Sequence, residues 1–83
     1  MEKELILYST EGCHLCEVAF ELISQVGLTE QLQVIDIAFD DELFSRYGVT
    51  IPVVKSEQSE INWPFDLSQL KQWLTANGIT YHS

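Results

Sequence analysis

Apolar positions fall into short blocks with different periods along the chain. The run ELILYS, Glu4 to Ser9, is almost continuously apolar, which predicts an inner strand covered on both faces. After Gly12 the spacing lengthens. Leu15, Val18, Ala19, Leu22, Ile23 and Val26 share one face of a helix that Gly27 ends. LQVIDIA, Leu32 to Ala38, predicts a second buried strand, with Asp36 near its end. In DDELFSRYG, Asp40 caps a short helix, Asp41 and Glu42 suit its first turn, and Leu43, Phe44 and Tyr47 form its inner face up to Gly48. VVKS (Val53 to Ser56) and SEINW (Ser59 to Trp63) are short strands around Glu57 and Gln58, close enough to form an antiparallel hairpin.

The last helix has the clearest start. Asp66 and Gln69 have capping-box spacing, and Phe65 and Leu70 are placed for a hydrophobic staple. Leu67, Leu70, Trp73 and Leu74 make its inner stripe, Asn77 and Gly78 close it, and the tail ITYHS is expected to be loosely held. The order β-α-β-α-β-β-α predicts an α/β fold with a four-stranded mixed sheet and three helices. Its opening β-α-β unit calls for parallel strands with a right-handed crossover. The 83 residues suit a single domain spanning 1–83.

Charge narrows the partners. Thirteen acids against four bases give a net charge of -9, which disfavours a nucleic-acid backbone or an anionic membrane. Solubility explains the imbalance most simply; a basic or neutral partner is the sharper reading. No apolar run reaches bilayer-spanning length and the N-terminus does not read as a signal peptide, so a cytoplasmic protein is the expectation, and a small acidic domain is a monomer by default.

The chemistry lies in YSTEGCHLCE, residues 8 to 17, which holds both cysteines, Cys13 and Cys16. A bridge over so short a loop stabilises a fold little, and a reducing compartment disfavours permanent staples. A structural zinc site wants four ligands, whereas Cys13, Cys16 and His14 offer at most three and His82 lies in the tail. A cluster shared between two chains would draw thiolates from each. Placed where a strand feeds a helix, the pair reads best as redox-active. The helix N-terminus favours a Cys13 thiolate, with a pKa moderately below the free value of about 8.5. Cys13 then attacks a disulfide and Cys16 resolves the mixed disulfide. His14 modulates in favour of the anion when charged, or tunes solvent access when neutral; Glu11 and Glu17 disfavour the thiolate.

Pro52 opens the third strand. A trans proline there simply starts the strand. A cis bond would turn the chain and expose the Ile51 N–H and C=O to an extended peptide substrate. Trp63 and Phe65 are either core aromatics or walls of a groove, and Asp66 either caps the helix or also meets a charged terminus of a small peptide. Pro64 suits a turn. Tyr8, Tyr47 and Trp73 read as packing residues.

In their order along the chain, GCHLCE (Gly12 to Glu17), GVTIPVV (Gly48 to Val54) and WPFD (Trp63 to Asp66) make the sequence resemble the thioredoxin-fold superfamily, and within it the small glutaredoxin-like proteins. The resemblance implies a cis Pro52, Cys13 as nucleophile and Cys16 as resolver. It also implies thiol–disulfide exchange with a protein or low-molecular-weight disulfide and no bound cofactor; glutathione as co-substrate, a thioredoxin-type reductase and a dedicated protein are the candidate electron donors. In that family Thr50 and Ile51 would contact the cysteinyl part of glutathione, and Asp66 its γ-glutamyl amine. Several residues depart from the pattern. Dithiol glutaredoxins carry Cys-Pro-Tyr-Cys, a base near the first cysteine, and Gly-Gly-x-x-Asp before the last helix. This chain has His14 and Leu15 between its cysteines, Glu11 in place of the base, and bulky Trp63, Pro64 and Phe65 before Asp66. Non-catalytic protein binding on the same fold, and metal or iron–sulfur cluster carriage, are the alternative functions.

Overall fold

The computed structural model describes residues 5–57 and 59–81. The expectations for Glu4, Gln58 and His82 therefore lie outside the described residues. The elements are β1 (Leu5–Ser9), α1 (His14–Gln25), β2 (Leu32–Asp36), α2 (Asp41–Tyr47), β3 (Val53–Lys55), β4 (Glu60–Asn62) and α3 (Leu67–Ala76), with 3-10 turns at Thr29–Gln31 and Ile37–Phe39. The four-stranded sheet has the order β2-β1-β3-β4. β1 runs parallel to β2, from Leu5 opposite Leu32 to Ser9 opposite Asp36. It runs antiparallel to β3, which forms the predicted hairpin with β4.

β1 is apolar throughout because both its faces are covered. Leu5 and Leu7 pack with Ala19 and Ile23 of α1 and with Leu70 and Leu74 of α3. Ile6 and Tyr8, on the opposite face, pack with Leu43 and Tyr47 of α2. The alternation is that of any strand; here both sets of side chains are apolar.

β2 departs from its expected burial. It is an edge strand, with Gln33 exposed and Val34 49% exposed. It stops at Asp36, whose carboxylate accepts the Ala38 N–H at 2.9 Å and starts the Ile37–Phe39 turn. Two residues expected on inner helix faces point outward instead, while the rest of those faces is buried or partly buried as expected. Leu15 is 45% exposed, and Cys16, Ala19, Ile23 and Val26 form the buried stripe of the first helix instead. Phe44 is 58% exposed while Tyr47 is buried. Cys16 lies about 100° around α1 from Leu15, whereas in α2 Tyr47 keeps the inner position expected of it and only Phe44 turns outward.

The helix ends follow the sequence closely. Asp40 accepts the N–H groups of Glu42 and Leu43 at 3.0 and 3.1 Å. The Asp66 carboxylate accepts the Gln69 N–H at 2.8 Å, and the Gln69 side chain accepts the Asp66 N–H at 2.9 Å. Phe65 and Leu70, the staple pair, are both buried in the larger core. At the end of α1, Gly27 adopts φ +73°. Its N–H reaches the Ser24 carbonyl and that of Leu28 the Ile23 carbonyl, the bond pattern of a Schellman motif. The described part of the tail, Ile79 to Tyr81, is better held than expected: the Ile79 N–H donates to the Leu74 carbonyl at 2.9 Å, and Ile79 and Tyr81 pack against the larger core.

Candidate active site

β1 ends at Ser9, and the chain must turn before α1 begins at His14. The Cys13 N–H donates to the Thr10 carbonyl at 3.4 Å, closing a four-residue turn. Its third position, Gly12, has φ +78° while Glu11 does not enter the positive-φ region, which is the pattern of a type II turn. A Cβ on Gly12 would meet nothing within 4 Å, so backbone conformation and not space calls for glycine there.

The turn delivers Cys13 to the N-cap of α1. Its sulfur accepts the Cys16 backbone N–H at 3.2 Å, taking the role usually filled by a capping oxygen. The two sulfurs lie at disulfide-bonding distance, with Cα atoms 5.2 Å apart. Cys16 is 5% exposed and belongs to the buried stripe of α1, whereas Cys13 is only half-buried. An incoming sulfur therefore meets Cys13 first.

The charged neighbours are exposed. His14 Nδ1 lies 3.6 Å from the Glu17 carboxylate, with the side chains 84% and 79% exposed. Solvent screening makes such a pair weak. Glu11 and Glu17 line a depression beside the cysteines, as do Ser9, Phe20 and Val34. Phe20 and Val34 carried no signal of a site in the sequence. Phe20 lies one helical turn beyond Cys16, and Val34 reaches the site only through the pairing of β2 with β1.

A second group forms across β1 from β2. Tyr8 pairs with Val53, so Pro52 comes level with the end of β1, where the cysteine turn departs. The Ile51–Pro52 peptide bond is cis, and so is Trp63–Pro64, which no sequence feature signalled. The Trp63 N–H donates to the Pro52 carbonyl at 3.2 Å, and the Trp63 and Phe65 rings meet edge to face at 5.1 Å. Two expectations need correction. The Ile51 N–H is already given to the Tyr47 carbonyl at 3.1 Å, and the Thr50 N–H and hydroxyl also donate there, at 2.9 and 3.3 Å. Any main-chain contact from Ile51 to a substrate would have to use its carbonyl. Phe65 is buried at 5% exposure, so its ring is core packing and not a groove wall. Asp66 is exposed and occupied as a cap. The predicted site residues thus fall into two clusters: Glu11, Cys13, Cys16 and Glu17 in one, and Thr50 to Pro52 with Trp63 in the other.

Tyr47 braces the second cluster. Its ring stacks on Tyr8 with centroids 4.4 Å apart, and its hydroxyl donates to the Glu60 carboxylate. Burial first, then the Glu60 carboxylate, push the phenol pKa up to about 12.

The sequence matches the Glutaredoxin-like domain (DUF836) family over residues 4–75. The chain belongs to this glutaredoxin-like family. It is also similar to the X-ray structure of Northeast Structural Genomics target protein XcR50 from X. campestris, with 37% identity and a TM-score of 0.80 over 87% of this chain and 96% of that one. The solution structure of the same target gives 36% identity and a TM-score of 0.79, over 88% of this chain and 94% of that one. No curated protein matches the chain. The four-stranded mixed sheet with three α-helices described above matches a glutaredoxin-like α/β fold, and this chain's cysteine pair stands just before and within the first turn of its first helix. Among the described residues no helix is long and apolar enough to cross a membrane, and no group of three or more His, Cys, Asp or Glu side chains is arranged to hold a metal ion.

Proposed function

We propose that the protein is a thiol–disulfide oxidoreductase or redox carrier in which Cys13 is the nucleophile and Cys16 the resolving thiol. The observation that carries this reading is the unequal setting of two sulfurs within bonding reach: Cys13 half-buried at the helix N-cap, Cys16 enclosed one turn on.

In the reduced protein the Cys13 thiolate attacks one sulfur of a partner disulfide. A Cys13–partner disulfide forms and the partner's other sulfur leaves as a thiolate. The Cys16 thiolate then attacks the Cys13 sulfur, forming the Cys13–Cys16 disulfide and expelling the remaining partner thiolate. The partner gains two electrons and, with solvent protons, becomes a dithiol. A thiol donor, glutathione or a thioredoxin-type reductase, returns two electrons to the oxidised pair in a reducing compartment such as the cytoplasm. The Cys16 N–H and the helix end lower the energy of the Cys13 anion both as attacking group and as leaving group. Asp66, Thr50 and the Ile51 carbonyl are the groups that would meet glutathione, the fully buried Pro52 only sets the course of that loop, and the bulk of Trp63 narrows the approach.

The test equilibrates the protein with glutathione and thioredoxin redox couples and measures exchange with each donor. A reversible two-electron couple, with exchange lost in Cys13→Ser, supports the assignment. Undiminished exchange in Cys13→Ser overturns it.

A further inference from the structure

The depression beside the disulfide lies on the β2 side of β1, on the other side from the Pro52 loop. It has a volume of about 480 Å³, and Cys13 and Cys16 form part of its wall. Val34 and Phe20 give it an apolar surface, 49% and 42% exposed, and β2 pairs with β1, with no further strand among the described residues covering this side. Among the described residues, Glu11 and Glu17 are its only charged lining residues. The described bases stand on other elements: Arg46 over the Tyr47 ring, Lys71 over the Tyr81 ring, and Lys55 in β3. The chain's net charge of -9 has the same sign as the mouth of the depression.

We infer that this depression receives a segment of a protein partner whose reactive cysteine is flanked by basic and apolar residues. The inference rests on the redox reading above and names its substrate class. An apolar side chain of the segment covers Phe20 and Val34 while a lysine or arginine meets Glu11 and Glu17, which sets the partner's sulfur against Cys13. The same carboxylates repel acidic disulfides, glutathione disulfide among them. Complementary charge of this kind acts mainly on the rate of encounter and fades with salt.

The test uses disulfide-linked peptide dimers of equal length whose cysteine is flanked by Lys and Leu, by Glu and Leu, or by Lys and Ser, each reacted with the reduced protein at low and high salt. The expected result is that the Lys/Leu peptide reacts about tenfold faster than the Glu/Leu peptide at low salt. High salt, or the double change Glu11→Gln and Glu17→Gln, should shrink that gap severalfold. Phe20→Ser, or Val34→Thr, which keeps the β-branched shape, should bring the Lys/Leu rate down towards the Lys/Ser rate. Equal rates for the Lys/Leu and Glu/Leu peptides, with normal exchange against the small neutral disulfide hydroxyethyl disulfide, overturn the docking site and leave the redox reading standing. If no disulfide reacts, the redox reading fails. The docking site is then decided by titrating a Lys/Leu peptide carrying Ser for Cys into the oxidised protein: amide shifts at Phe20 and Val34 support it, and their absence overturns it.

Discussion

The backbone N–H of Cys16 points at the sulfur of Cys13, 3.2 Å away. One residue thereby serves its partner twice, through its amide as a hydrogen-bond donor and through its own sulfur as the group that closes the disulfide. The arrangement follows from the type II turn at Gly12, which fixes Cys13 as the N-cap and leaves Cys16 at the third helical residue, where an N-cap acceptor finds its donor.

The first consequence concerns acidity. A thiolate at Cys13 gains from the Cys16 N–H and the positive helix end and loses from Glu11 and Glu17. The thiol of the reduced protein should titrate below about 8.5. Glu17→Gln should lower it further and should also release His14 from its acidic neighbour. Thiolate absorbance followed against pH in the Cys16→Ser variant measures both; a value at or above about 8.5 contradicts the electrostatic account.

The turn itself is testable. Gly12 needs φ +78°, so Gly12→Ala should destabilise the protein by about 1 kcal/mol. Since nothing crowds the Cβ position, Gly12→Asn should recover part of that loss. Urea melts of the two variants check the order; equal stability of Ala and Gly at this position contradicts it.

Tyr47 and Glu60 tie α2 to the far strand of the sheet. Tyr47→Phe should cost about 1 to 2 kcal/mol, because it removes a donor from a carboxylate. The raised phenol pKa also has a pH signature. Stability held by the protonated phenol is fully present below its ordinary pKa of about 10 and is lost as pH rises through about 12. The wild type should lose its advantage over Tyr47→Phe across that window in denaturant melts; a constant difference up to pH 12 would sink the assignment.

Asp66 separates capping from ligand charge. Asp66→Ala should lose about 1 kcal/mol with the capping box, while Asp66→Asn keeps a good N-cap. If Asp66 meets the glutathione amine, Asp66→Asn should retain stability yet slow reduction by glutathione severalfold. An unchanged rate in Asp66→Asn removes this residue from the glutathione site.

The parts of the fold written in local signals were legible. Asp40, Asp66 with Gln69, Gly27 and the hairpin spacing mark their elements through hydrogen bonds made within a few residues. Edge placement was not legible for β2, since an apolar run such as LQVIDIA looks alike in an inner or an outer strand. Leu15 has the spacing of the inner face of α1 but is exposed; Cys16, a small apolar side chain as well as a reactive one, takes the buried place. The candidate site shows the same division. The place of the cysteines follows from their neighbours in sequence. Phe20 and Val34 join them only through β1–β2 pairing, and the loss of the Ile51 N–H to Tyr47 depends on how the chain leaves α2.

The central claim, that Cys13 attacks and Cys16 resolves, is tested most directly by mass spectrometry of single-cysteine variants after reaction with a peptide disulfide. The account predicts that Cys16→Ser accumulates a mixed disulfide at Cys13, and that Cys13→Ser accumulates almost none because Cys16 is enclosed. Capture at Cys16 in the Cys13→Ser variant, as fast as capture at Cys13 in Cys16→Ser, would contradict it.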